Sequence, residues 1–317
     1  MKRLATSGEI LVEIMAERIG QSFLEPGPLA GPFPSGAPAI FIAQAAALGA
    51  TAGLIGAVGD DAFGQVNLDR LKRLGADVSA IAVHPGWPTG SAFVAYQADG
   101  SRQFVYNILH SAAGRIALTP EAERMLAEAD HFHVMGTALF AEATAEVARA
   151  GIAAVKARGG TVSFDPNVRA ETFHLPGMRE ALDFVLGQAD VFLPSGEEIF
   201  LFTRARGEAS AAAELIARGV RTVVVKKGAA GAALYDREGR TAVAGFAVEE
   251  VDPTGAGDCF GAAFVSRWLA GDPPDRALAL ANACGALAVT RRGPMEGIAT
   301  LAEAEAFLAR QSAGGVA

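Results

Sequence analysis

The stretch DPTGAGD, residues 252–258, runs directly into CFGAAFVSRWLAG, residues 259–271. The spacing of apolar residues in the second segment predicts a helix. A helix start leaves backbone N–H groups unpaired and carries partial positive charge. Gly255, Ala256 and Gly257 put almost no side chain between those amides and a visitor, so the turn predicts an anion site, above all one for a phosphoryl group. Asp258 falls in the first helical turn, on the same rim. A carboxylate beside an anion cradle is repulsive unless it has a task, and accepting a proton from an attacking hydroxyl is such a task. The plainer use of Asp252 or Asp258 is to cap the helix; two acids bracketing the turn favour the anion site.

Outward from this turn, short apolar runs alternate with helical patterns. Strand-like runs are TAGLIGAV (51–58), HFHVMG (131–136), TVSFD (161–165), VFLP (191–194) and RTVVV (221–225). Helical periodicity marks 141–159, 177–189 and 208–219. Strand–helix repetition with strands apolar throughout predicts an α/β fold: a doubly wound, mainly parallel sheet with helices on both faces. Ligands of such sheets bind beyond the carboxyl ends of the strands. Residues 89–111 break the pattern, alternating apolar and polar around ADGS, which predicts a hairpin with one wet face. With the Gly- and Pro-punctuated segment 13–33 it is expected to form a small β lid over a cleft, or otherwise a structural flap or dimer surface. The expected division is a main domain of 1–12, 35–85 and 112–317 and a lid of 13–34 and 86–111.

Composition narrows the partners. The chain has 317 residues, 51% hydrophobic and 20% charged, with a net charge of −8. It has no run of Lys or Arg, which disfavours nucleic acid or an acidic membrane surface. Cys259 and Cys284 lie in apolar helical stretches and read as buried thiols. Residues 36–59 carry no charge, but Gly49, Thr51 and Gly53 interrupt them. They read as a helix (38–48), a turn and a strand (52–58) rather than a membrane span, and a cytoplasmic protein is expected. No G-x-x-x-x-G-K-[ST] loop, no G-x-G-x-x-G after the first strand, no G-x-S-x-G and no H-E-x-x-H occurs. His131 and His133 lie two apart on a strand and read as structural.

DPTGAGDCFGAAFV resembles the C-terminal signature of the ribokinase-like, or PfkB, carbohydrate kinases. The likeness continues along nearly the whole chain in order: GEILVEIM (8–15) for the first strand, SGAPA (35–39) for the sugar loop, VGDDAFG (58–64), DPNVR (165–169), KKGAAGA (226–232) for the nucleotide loop and ANACGALAVTRRG (281–293). The resemblance implies ATP- and Mg²⁺-dependent phosphorylation of a sugar. Asp258 would be the base. The amides of Gly255, Ala256 and Gly257 would hold the charge of the transferring group, with Arg169 reaching it through its fork of donors. Lys226, Gly228, Gly231, Ser195 and Asn282 would line the nucleotide pocket. Gly36, Ala37, Tyr106, Asn167 and Glu13 would meet the sugar, Glu13 standing where the family commonly has Asp. Glu198 would organise magnesium through water, and the likeness allows potassium near Asp252 and Thr254, and a homodimer.

Departures from the family pattern are Ser195 in place of the Asn of N-x-x-E, and Ile40 in place of the Asn of the sugar loop. Members acting on keto-deoxy sugar acids place an Arg near the position of Ile108. An isoleucine cannot pair a carboxylate, so a neutral ketohexose such as tagatose or fructose is expected. A nucleoside kinase, a 2-keto-3-deoxygluconate-type kinase of the same fold and a catalytically silent sugar-binding protein are the alternatives.

Overall fold

The computed structural model describes residues 2–98, 101–168 and 177–314. Strands β1 (Arg3–Ser7), β4 (Thr51–Gly59), β5 (Ile81–His84), β8 (His131–Met135), β9 (Thr161–Asp165), β10 (Val191–Phe192), β11 (Thr222–Lys226), β12 (Ala232–Tyr235) and β13 (Arg240–Val243) form one sheet, in the order 13-12-11-10-9-8-1-4-5. Neighbours from β5 to β11 run parallel, and β12 and β13 return antiparallel.

Helices cover both faces, and the strand residues show it. Val224 packs on the side of α1 (Ala37–Ala47), α7 (Ala256–Ala270) and α8 (Pro274–Ala288), with Phe41, Phe264 and Leu278. Its neighbours Val223 and Val225 belong to the opposite core. There Phe164, Leu182 and Leu215 meet α4 (Glu142–Lys156), α5 (Met178–Gln188) and α6 (Glu208–Ala217). A strand buried on both faces needs apolar residues at every position, which is why VVV reads as a continuous run. The uncharged stretch 36–59 is α1 followed by β4. Among the described residues no helix is long and apolar enough to cross a membrane.

A second, four-stranded sheet holds β2 (Leu11–Ala16), β3 (Leu29–Ser35), β6 (Gly90–Tyr96) and β7 (Arg102–Asn107) in the order 3-2-6-7. Two antiparallel pairs, β2–β3 and β6–β7, are joined through the parallel pair β2–β6. This is the lid sheet, and it corrects one sequence assignment. The first core strand is RLATS, paired from Arg3 to Ser7 with β4, whereas GEILVEIM leaves the main sheet and supplies lid strand β2 from Leu11 onward. Ile10, Leu11 and Val12 mimic a core strand because they are buried, but Leu11 and Val12 pair with Gly90 and Ser91 of the lid.

Strand order reverses at β1: the chain moves outward through β4 and β5 on one side and through β8 to β11 on the other. The crevice at such a reversal, beyond the carboxyl ends, is where these sheets take ligands. Phe164, fully buried on β9 and tilted against Phe192 at 5.6 Å, holds the strand whose next residues enter that crevice. Phe164→Ala is expected to lower unfolding stability by about 3–5 kcal/mol in urea titration; a loss below about 1 kcal/mol would contradict this packing.

Candidate active site

Two cavities meet at the carboxyl ends of the main sheet. One, of about 480 Å³, lies between the lid and the sheet. The other, of about 620 Å³, lies on the far side of the glycine turn. Ser195, Lys226, Pro253 and Gly257 line both, so the turn forms the partition across which a group could pass.

The partition is built from the start of α7. Gly255 precedes the helix at φ 82°, and a Cβ there would lie 2.5 Å from the Pro294 carbonyl oxygen, so only glycine fits. A Cβ on Gly257 would meet nothing nearer than Lys226 Nζ at 3.6 Å. No side chain covers the turn at Gly257, and the Lys226 ammonium lies beside it; the Ala256 amide makes a long hydrogen bond, 3.4 Å, to the Pro253 carbonyl. Lys226, at the end of β11, is ion-paired with Asp165 at the end of β9, and both are buried.

Asp258 is buried at the third position of α7 and accepts a hydrogen bond from Asn167 Nδ2 at 3.2 Å. Asn167 stands at φ 37°, a left-handed conformation that Asn tolerates better than other side chains. It is thus both the turn residue and the partner of the carboxylate. Arg169 lies outside the described residues.

Asp252 does not cap α7. It is 2% exposed, and its carboxylate accepts from Tyr96 Oη at 2.6 Å, from Thr254 N at 3.0 Å and from Gly293 N at 2.9 Å. The residue assigned to potassium therefore already takes three protein donors, one of them from the lid. Burial, and then Asp252, raise the Tyr96 phenol above its ordinary value, so it stays a donor. Thr254 Oγ1 lies 3.1 Å from the same phenol and accepts from Arg102 Nη1 at 3.4 Å.

Glu198 accepts from Ser195 N at 2.6 Å and Val168 N at 2.7 Å. Burial first, and then the charge of Asp165, raise its carboxyl above the ordinary range; Lys226 and the two amides oppose this. Among the described residues no cluster of three His, Cys, Asp or Glu could hold a metal ion. A magnesium ion brought here by a nucleotide would be held chiefly by phosphates and water.

The remaining predicted residues divide between the two cavities. Gly228, Gly231 and Asn282 line the larger one, as does Phe246. Asn282 is buried, and its Nδ2 donates to the carbonyls of Val243 and Ala244 at 3.2 and 3.1 Å. Gly228 and Gly231 also form the hairpin turn between β11 and β12. Glu13, Gly36, Ala37 and Tyr106 line the smaller cavity with Asn167 and Asp258. Glu13 is buried and accepts from Ser35 Oγ at 2.7 Å. Tyr106 stacks on Phe104 at 5.1 Å, nearly parallel. His131 and His133 are buried and joined through Ser163 Oγ. Burial pushes His131 down to about 3 and His133 well below its ordinary value, so both are neutral core groups.

Sequence reasoning missed Asp165, Tyr96 and Arg102. Asp165 stood in the quoted DPNVR without a role; a lysine two strands away gives it one. Tyr96 and Arg102 read only as hairpin residues, and no linear signal links them to a turn some 150 positions later.

Comparison with known proteins fits this arrangement. Residues 33–301 match the pfkB family carbohydrate kinase model. An E. coli protein whose crystal structures are described as those of a "putative Ribokinase II", one with ATP and Mg²⁺, is 46% identical with a TM-score of 0.92, covering 98% of this chain and 100% of that one. Fructokinase from Klebsiella pneumoniae is 33% identical, covering 91% of this chain and 93% of the relative. The 2-dehydro-3-deoxygluconokinase of Thermoproteus tenax is 32% identical, covering 97% and 94%. The chain belongs to the PfkB family of carbohydrate kinases. It is an ATP-binding sugar kinase.

Lys226→Met leaves Asp165 buried without its counter-charge and is expected to cost about 3–5 kcal/mol of stability. The double variant Asp165→Leu/Lys226→Met should recover part of that loss in the same denaturation assay. An unchanged midpoint for the single variant would show that the pair is not buried as described.

Proposed function

We propose that the chain transfers the γ-phosphoryl group of ATP to a hydroxyl of a ketose. Asp258 is the base, and the amides of Gly255, Ala256 and Gly257 are the anion hole. The observation that carries this reading is the partition itself: a glycine helix start and the Lys226 ammonium stand together between two cavities, with the buried Asp258 carboxylate on the acceptor side.

The nucleotide occupies the larger cavity, against Gly228, Gly231 and Asn282. The sugar occupies the smaller one beneath the lid. Its hydroxyl oxygen attacks the γ-phosphorus as the bond to the β-phosphate oxygen breaks, and its proton passes to Asp258, so that ADP and a sugar phosphate leave. Asn167 orients the Asp258 carboxylate through the hydrogen bond at 3.2 Å. Lys226 and the helix-start amides offset the negative charge that gathers on the transferring oxygens. Magnesium, when bound with the nucleotide beside Glu198, supplies charge neutralisation on the phosphates. Arg169 is assigned to the transferring group by family likeness. The Tyr96–Asp252 bond holds the lid against the turn, which keeps water, a competing acceptor, out of the cavity.

Two relatives, by name a fructokinase and a 2-dehydro-3-deoxygluconokinase, support a keto sugar as acceptor. The pairing of Asp258 with Asn167 and of Lys226 with Asp165 speaks against a catalytically silent binding protein.

Asp258→Asn is expected to lower kcat for ketose-dependent ADP release by about 10²–10⁴ while ATP affinity stays close to that of the parent. Near-parental turnover would remove Asp258 from the role of base.

A further inference from the structure

Strand β7 presents Arg102, Phe104 and Tyr106 to the acceptor cavity, while Gln103, Val105 and Asn107 face solvent. Phe104 stacks on Tyr106, and the Arg102 guanidinium lies 5.5 Å from the Phe104 ring centre. The planar groups thus form a row along the lid side of the cavity. Arg102 stands at the end of the row nearest the glycine turn.

Arg102 is a half-buried cation whose charge is unspent. Its one polar contact is a long hydrogen bond, 3.4 Å, to the neutral hydroxyl of Thr254, and among the described residues no carboxylate pairs with it. The carboxylate beyond that hydroxyl, Asp252, is already taken up by Tyr96, Thr254 N and Gly293 N. Tyr96 is the direct cross-strand partner of Arg102, so the strand that brings the guanidinium also brings the phenol that occupies Asp252. A guanidinium drawn out of bulk water with five donors and so little to donate to is complementary to an anion.

Two anions could meet it, the transferring phosphoryl group or a charged group on the acceptor. The element that carries Arg102 favours the second. The residues assigned above to the transferring group, Gly255 and Asp258 among them, belong to the glycine turn and the start of α7, whereas Arg102 comes from the lid strand in one row with Phe104 and Tyr106. Arg102 lines the acceptor cavity alone. The geometry points to Arg102 as a specificity-determining residue that pairs with a carboxylate or phosphate carried by the acceptor sugar. The acceptor class is therefore an anionic keto sugar. This deepens the sugar-kinase reading above and rests on it. The argument from Ile108 for a neutral acceptor concerned one position; Ile108 lines the same cavity, and the lid supplies the cation six residues earlier.

The test compares four acceptor types in a coupled ADP-release assay: ketohexoses, ketohexonates with the carboxylate at C1, ketohexuronates with it at C6, and ketohexose phosphates. Calorimetric titration of the same compounds without nucleotide supplies a second readout. The parent enzyme is expected to prefer one anionic type over its neutral parent sugar by tenfold or more, both in kcat/KM and in Kd. Arg102→Met should collapse that ratio towards one, and Arg102→Lys should retain part of it, because the charge stays while the planar fork is lost. A parental ratio near one, or a ratio unchanged in Arg102→Met, would overturn the assignment. So would an equal fall in kcat for neutral and anionic sugars, which would place Arg102 at the transferring phosphoryl group. No ADP release with any sugar would strike the kinase reading, while the calorimetric ratio would still report on Arg102.

Discussion

An anion seat needs positive charge that its surroundings have not already neutralised. In the function proposed here that charge is the start of α7, where Gly255 takes a conformation only glycine can hold and Gly257 adds no side chain. Lys226 stands beside it, its ammonium paired with buried Asp165, so the charge left unneutralised at the turn is that of the helix start. The parallel sheet exists, functionally, to hold these parts in register. β9 ends at Asp165, β11 ends at Lys226, and the two cavities open to either side of the turn.

The lid depends on the same turn. Tyr96 reaches from β6 to Asp252, and that one buried carboxylate also holds Thr254 N and Gly293 N. The residue that opens DPTGAGD is therefore a junction of lid, turn and the loop after α8, rather than a helix cap. In the proposed reaction a lid fixed to the turn in this way would keep water from the place where the phosphoryl group moves, and it sets Arg102 beside Thr254 of that turn.

Much of the fold was legible because its physics is periodic. Strands 51–58, 131–136 and 161–165, and helices 141–159, 177–189 and 208–219, sit within a few residues of their observed bounds, because burial on both faces demands apolar runs and helices demand a 3.6-residue stripe. GEILVEIM misled because Leu11 and Val12 are as buried in the lid as they would be in the core, and a linear pattern does not record which sheet does the burying. At the site, the helix start after DPTGAG was legible because glycines followed by an apolar helical stripe mark it. The donors of Asp252 were not legible because they come from residues 96, 254 and 293, and Asp165 had no visible partner until β9 and β11 were brought near one another. Local chemistry can be read from a chain; a charge whose partner lies sixty or more positions away needs the fold.

The most direct measurement is a crystal structure with a non-hydrolysable ATP analogue, magnesium and a bound sugar. The account requires the γ-phosphate oxygens within about 3 Å of the amides of Gly255 to Gly257, with a sugar hydroxyl between that phosphorus and the Asp258 carboxylate. A γ-phosphate seated away from the turn, with Asp258 facing no hydroxyl, would contradict it.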